Sequence, residues 1–150
     1  MSSVPRAPLF LAFLGLLPFL WSVATRYNAG LYDWSIAHLG SRFVAPYLQL
    51  SYGTVILAFM SGVLWGFATK AGGAKAAMAY ALSVLPALWA FVMVGGGPVA
   101  AATNLVFGFL GLLLLDAAFQ LWNLAPRWWL GLRVPVTAVA VACLAVEAFL

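Results

Sequence analysis

Long apolar runs, separated by short polar or glycine-rich breaks, dominate the sequence. A helix needs about 20 apolar residues to cross the hydrocarbon core of a bilayer. Five runs approach or reach this length, and the predicted spans cover residues 8–25, 46–69, 76–94, 98–122 and 132–150. The pattern therefore predicts an all-α, polytopic membrane protein in which residues 1–150 form a single five-helix transmembrane domain.

The breaks between the runs carry the residues that end helices. KAGGAK, at 70–75, places a glycine pair between two lysines, and GGGP, at 95–98, ends in a proline suited to the first position of a helix. Pro18 and Pro86 instead lie inside predicted spans. They predict kinks whose freed backbone groups other helices must satisfy.

The longest connection, residues 26–46, has its own helical pattern. Tyr32, Ile36, Leu39 and Phe43 recur at helical spacing. This periodicity predicts a short amphipathic helix lying on the membrane interface between the first two spans. The helix could dock a partner, but we expect it to be a connector that keeps its apolar side out of water.

Composition supports a membrane location. The chain is 66% hydrophobic and 7% charged, whereas a soluble domain carries roughly 25% charged residues. Its mean hydropathy is +1.08. The net charge of +4 could suggest nucleic acid, but the basic residues are scattered singly at the ends of apolar runs. Such a distribution reflects topology and predicts no nucleic-acid partner.

Counting lysine and arginine predicts the orientation. With a cytoplasmic N-terminus, five basic residues lie inside and two lie outside; the five are Arg6, Lys70, Lys75, Arg127 and Arg133, and the two are Arg26 and Arg42. Cytoplasmic loops carry the excess of positive charge. Since the first residues lack the composition of an organellar presequence, we expect the bacterial inner (cytoplasmic) membrane, with the N-terminus in and the C-terminus out.

The second span holds a line of small residues. Thr54, Ala58, Gly62 and Gly66 are each four residues apart and lie on one face, which ends at Lys70. Small residues allow two membrane helices to approach closely. The line predicts a helix-packing groove. We expect the third or fourth span of the same chain to fill it, and a partner protein is the alternative.

The stretch YGTVILAFMSGVLWG, residues 52–66, resembles the signature of a bacterial domain-of-unknown-function family of small five-helix membrane proteins, related to the eukaryotic mitochondrial transmembrane protein 69 family. Other parts agree along nearly the whole chain: FLGLLPFL (13–20), SVLPALWA (83–90), Asp116 and LRVPVTAVAV (132–141). Ser61 and Leu64 depart from the family pattern, which more often has glycine and a polar or basic residue there. The resemblance implies the fold and no established activity.

Acidic residues inside the spans are candidate functional groups. Asp116 lies about six residues before the end of the fourth span, with Gln120 and Asn123 following on the same face. A charged group in a membrane is costly and is a functional hypothesis by default. We expect Asp116 to form an ion pair with Arg133, and a polar site open to the cytoplasm is the alternative. Glu147 is expected to reach the interface.

Aromatic residues could line a ligand pocket. Tyr52, Trp65 and Trp89 lie within the spans, where they either pack in the core or contact a flat hydrophobic ligand resembling a quinone or a tetrapyrrole. Neither catalytic residues nor a metal site nor a bound cofactor is predicted. His38 is a lone histidine, and a metal site needs several ligands.

These observations favour a non-enzymatic accessory or assembly protein. It would act by helix-to-helix contact in the lipid bilayer, with a larger membrane complex or as a homo-oligomer. A binder or carrier of a small hydrophobic molecule is the alternative. A proton-coupled transporter centred on Asp116 is a weaker one, because a single carboxylate makes a poor proton path.

Overall fold

The computed structural model describes residues 3–150, and within them it contains helices and no strand. One 3₁₀ turn, Ser41–Phe43, lies between the third and fourth α-helices. The helices are α1 (Arg6–Leu14), α2 (Leu17–Tyr27), α3 (Ala29–His38), α4 (Tyr47–Ala68), α5 (Gly73–Ser83), α6 (Leu85–Met93), α7 (Pro98–Leu121) and α8 (Trp129–Phe149).

Five helical segments are long and apolar enough to cross a membrane. They are Arg6–Tyr27, Tyr47–Ala68, Gly73–Met93, Pro98–Leu121 and Trp129–Phe149. The predicted all-α fold with five membrane-spanning helices is confirmed. The predicted ends differ from the observed ends by three residues at most, because polar and glycine-rich breaks mark them in the sequence.

The first and third segments are each broken near the proline predicted to kink them. α1 stops at Leu14, and α2 begins just before Pro18. The carbonyl of Gly15, at this break, accepts a hydrogen bond of 2.8 Å from the hydroxyl of Tyr52 on α4. A polar side chain of another helix thus satisfies backbone that the kink exposes, as a bilayer requires.

The second break lies between α5 and α6, just before Pro86. Here the amide of Ala87 donates a hydrogen bond of 2.8 Å to the hydroxyl of Ser61 on α4. The first turn of a helix leaves backbone amides without partners, and Ser61 satisfies one of them. The serine that departs from the family pattern therefore has a structural role.

A short helix is present between the first two spans, as predicted, but it is shorter than the pattern suggests. α3 begins after Asn28, whose side chain accepts a hydrogen bond from the amide of Leu31, and ends at His38. α3 packs against α2. Tyr32 and Ile36 of α3 remain partly exposed, and so do Leu39 and Phe43, which lie beyond its end.

α4 and α7 form the centre of the bundle. α4 packs against α5, α6 and α7, and α7 packs most extensively against α8. Their contact faces bury large side chains completely or nearly so, among them Leu57, Leu64, Leu105 and Phe109. By contrast, α1 buries none of its nine residues. The two ends of the bundle are named as follows. The Lys70 end is the end at which α4 and α7 terminate, and the α3 end is the opposite one.

An ion pair joins the first and last spans at the α3 end. Arg26 of α2 donates to the carboxylate of Glu147 on α8. Glu147 is only 8% exposed, so its carboxylate is held against Arg26 near the end of α8. The sequence places the two residues 121 positions apart and gives no local signal for this pair.

Candidate functional site

A buried cluster of three side chains, those of Asp116, Trp129 and Arg133, lies near the Lys70 end. The carboxylate is 0% exposed. Its Oδ2 accepts a hydrogen bond of 2.9 Å from Arg133 Nε, and its Oδ1 accepts one of 2.8 Å from Trp129 Nε1. Both oxygens of Asp116 are therefore bonded, and the ion pair expected from the sequence is present.

The geometry of α8 explains the cluster. Trp129 and Arg133 are four residues apart on one helix and therefore lie on one face, which α8 turns towards α7. Sequence reasoning found Arg133 and missed Trp129. The helical spacing from Arg133 was the signal that could have found it, since an indole N–H is a hydrogen-bond donor.

The other two predicted members of the polar site do not join this cluster. Gln120 Oε1 accepts a hydrogen bond of 2.8 Å from the amide of Leu130, in the first turn of α8. Asn123 is exposed and has a left-handed backbone with φ of 60°, at the turn that ends α7. The prediction that Asn123 shares a face with Asp116 is wrong, because the helix stops before reaching it.

An apolar cavity of about 570 Å³ lies beside the ion pair. Its walls come from α1, α2, α4 and α8, and Phe109 of α7 also lines it. Arg133 and Thr137, one helical turn apart on α8, are the two residues of that helix in the cavity wall that carry polar side-chain groups other than the indoles. Arg133 Nη2 and Thr137 Oγ1 are buried, and neither has a hydrogen-bond partner among residues 3–150.

Of the three aromatic residues predicted to line a ligand pocket, the structure places only Tyr52 at this cavity. Trp65 is half exposed and packs its ring on Tyr80 of α5, at 4.6 Å between centroids. Trp89 donates a hydrogen bond of 2.7 Å to the carbonyl of Asn104, tying α6 to α7. Trp65 and Trp89 therefore pack between helices and do not line the cavity.

The line of small residues on α4 faces away from the bundle. Ala58, Gly62 and Gly66 are exposed, and a Cβ added at either glycine would meet no heavy atom within 4 Å. Thr54, at the start of the line, is half-buried, and its hydroxyl donates to the carbonyl of Leu50. The expectation that the chain fills its own groove is wrong.

Close packing inside the chain uses different glycines. A Cβ added at Gly108 of α7 would lie 2.8 Å from Leu57 Cδ1 and 2.9 Å from Trp89 Cδ1. One added at Gly53 of α4 would lie 3.1 Å from Leu105 Cδ1. These two glycines receive large side chains from neighbouring helices, so the packing seam lies on the opposite side of α4 from Gly62 and Gly66.

Together, the fold and this arrangement define a polytopic membrane protein of five spans with a buried ion pair beside an apolar cavity. The chain belongs to the family described as "Protein of unknown function (DUF3429)", whose model matches residues 4–149. The resemblance found in its sequence motifs is thereby confirmed.

The chain is also similar to a curated eukaryotic protein. The chain is 30% identical over 145 residues to Transmembrane protein 69 of Xenopus tropicalis, and the match covers 94% of this chain and 53% of that protein. The chain thus spans about half the length of the curated relative it matches. No solved structure matches the chain.

Proposed function

We propose that this protein is a non-enzymatic accessory or assembly protein that contacts a helix of a larger membrane complex. The observation that carries the proposal is the exposed line formed by Ala58, Gly62 and Gly66, with open space at both glycines. Val55 and Phe59 flank it on one side and protrude. Small residues between larger ones form a groove into which a partner helix fits.

Glycine in a helix costs about 1 kcal/mol relative to alanine, and two glycines one turn apart beside an alanine call for a reason that the isolated Gly111, between Phe107 and Leu115, does not. At Gly108 the reason lies within the chain, where Leu57 and Trp89 press against it. At Gly62 and Gly66 the described residues supply none. A partner backbone lying against the two glycines supplies one, and it would cover Ala58 as well.

Replacing Gly62 by Leu tests the proposal. We expect the melting temperature of the purified protein to stay unchanged or rise, because the leucine meets no neighbour in the fold. We expect the partner to be lost when the protein is purified from native membranes in mild detergent and analysed by mass spectrometry. Both results follow if the groove serves a second protein.

Gly111→Leu is the matched control, since Gly111 also lies in mid-helix, is exposed and has no heavy atom near its Cβ position. This variant should keep the partner. Retention of the same partners by Gly62→Leu, or their equal loss in Gly111→Leu, would contradict the proposal. A homo-oligomer is distinguished from a complex if the wild-type particle contains this chain alone and its mass is a multiple of the chain's mass.

Two other functions, binding of a hydrophobic molecule and proton-coupled transport, differ in how well the structure supports them. A binder of hydrophobic molecules is favoured by the cavity beside Arg133. A proton-coupled transporter is disfavoured, because Asp116 is 0% exposed and both its oxygens already accept hydrogen bonds. Such a carboxylate has no solvent-exposed surface through which to exchange a proton with water.

The proposed location is the bacterial inner membrane, with the Lys70 end in the cytoplasm. The basic residues predicted to be inside, Arg6, Lys70, Lys75, Arg127 and Arg133, lie at or near this end in the fold, whereas Arg26 and Arg42 lie near the α3 end. Cytoplasmic enrichment in basic residues supports this orientation.

Reporter fusions test the orientation. A reporter enzyme that is active only after export should be active when fused at Leu150 and inactive when fused at Gly72, in the α4–α5 turn. The physical reason is that three spans separate Gly72 from Leu150, and an odd number of spans places two positions on opposite sides of the membrane. Activity at Gly72 and inactivity at Leu150 would reverse the orientation.

A further inference from the structure

We infer that the cavity beside Arg133 binds a lipid-soluble molecule with an apolar body and a neutral carbonyl group as hydrogen-bond acceptor at one end. A quinone has this chemistry, and so does the ester end of a glycerolipid. The inference is independent of the helix contact proposed above, because none of Ala58, Gly62 and Gly66 lines the cavity, although Phe59 borders both surfaces.

The size and shape of the cavity fit such a molecule. Ligand sites typically enclose about 300–1,000 Å³, and this cavity encloses about 570 Å³. It extends along α8 from Trp129 to Ala140, which is roughly 16 Å at 1.5 Å per residue. An elongated apolar space of this length accommodates a ring or ester together with part of a hydrocarbon chain.

Access is available from the lipid side. The wall contributed by α1 is thin, because α1 buries none of its residues and packs mainly against α8. Leu11 of α1 and Phe59 of α4 both line the cavity, and each is 64% exposed. The lining therefore reaches the outer surface of the bundle, where a hydrophobic molecule enters from the bilayer.

Two unpaired polar atoms indicate where the head of the ligand lies. Arg133 uses Nε for Asp116, and its Nη2 has no partner among the described residues; Thr137 Oγ1, one turn away, has none either. A buried donor left without an acceptor is destabilising, and more so when it is charged. A carbonyl oxygen at the part of the cavity wall formed by these two residues would supply the acceptor that they lack.

The charge balance selects a neutral acceptor. Asp116 already compensates Arg133, so the pair carries no net charge. Arg133 and Tyr52 are the ionisable residues that line the cavity, and the Tyr52 hydroxyl donates to the carbonyl of Gly15. A ligand carboxylate would add an uncompensated negative charge at a site of low polarity, which is expensive.

The test measures binding of three probes to the purified protein by titration calorimetry in detergent. The probes share a ten-carbon chain: a decyl-substituted benzoquinone, a didecanoyl glycerol and decanoate. We expect saturable binding of the quinone, the diester or both, and weaker binding of decanoate. Binding of the quinone alone assigns the site to quinones, and binding of the diester alone assigns it to glycerolipids.

Two substitutions locate the site. Val63 lies in the cavity wall five residues before the end of α4, and Arg133 lies four residues after the start of α8, so the two are at similar depths. Val63→Trp is expected to abolish saturable binding, because the larger side chain fills the space beside Arg133. Thr137→Val preserves shape and removes the hydroxyl. It should raise the dissociation constant about threefold to tenfold, the equivalent of one hydrogen bond.

Each substitution has a matched control. Val55→Trp places the same residue on an exposed face of α4 away from the cavity, and Thr103→Val removes a hydroxyl that bonds within α7. Both controls should bind the probes like the wild-type protein, and thermal melting should show all four variants folded. Absence of saturable binding by both carbonyl probes, tighter binding of decanoate, or unchanged binding in Val63→Trp would overturn the inference.

Discussion

Asp116→Asn is expected to lower the free energy of unfolding by about 3–5 kcal/mol. Arg133, 6% exposed, would keep a positive charge and lose its ionic partner. The amide could still accept one hydrogen bond, but it would turn a donor group towards Trp129 Nε1 or Arg133 Nε, both of which are donors. Loss of charge and loss of an acceptor act in the same direction.

A double-mutant cycle isolates the pair. Asp116→Asn, Arg133→Met and the double variant are compared by denaturation in detergent, and the double variant should recover part of the loss because it buries no unpaired charge. Glu147→Gln is the control at the other ion pair. It should cost less, since the Arg26 side chain is 29% exposed and keeps some hydration. A coupling energy near zero between Asp116 and Arg133 would refute the account of the pair.

Gly108→Leu is expected to cost at least about 1–3 kcal/mol of stability, the usual range for overpacking. Its Cβ alone would overlap Leu57 and Trp89, each at less than 3.0 Å. Trp89 cannot move aside without breaking its hydrogen bond to the carbonyl of Asn104. The added leucine must therefore separate α7 from α4 or α6.

Gly111→Leu again serves as the control, on the same helix and three residues further along. Its Cβ meets nothing within 4 Å, and replacing glycine in a helix should stabilise the protein or leave it unchanged. Thermal melting of the two variants gives the comparison. Equal stability in the two variants would show that α7 does not pack against Leu57 and Trp89 as described.

The sequence predicted the features that depend on the length of a run or on a special backbone residue. The five spans follow from the thickness of the bilayer, and the breaks near Pro18 and Pro86 follow from the missing amide of proline. The ion pair between Asp116 and Arg133 was also predictable. A short turn joins two antiparallel spans, and each contributes one charged residue near that turn.

The sequence could not predict which face of each helix points inward. In a soluble protein, polar residues mark the exposed face, but a membrane span is apolar on all sides. The spacing of Gly62 and Gly66 indicated close packing without indicating the partner, and the chain packs through Gly53 and Gly108 instead. The sequence did not predict the cavity for the same reason. Five helices contribute to its lining, and of the three residues predicted to line a ligand pocket only Tyr52 does so.

Crosslinking at Ala58 tests the proposed helix contact most directly. A photoreactive amino acid is placed at Ala58, beside the exposed glycines, or at Leu114 of α7, which is 74% exposed on another helix. The protein is irradiated in native membranes, and the products are identified by mass spectrometry. We predict a protein crosslink of defined mass at position 58 and lipid adducts alone at position 114. Lipid adducts alone at both positions would contradict the proposal that α4 contacts a partner.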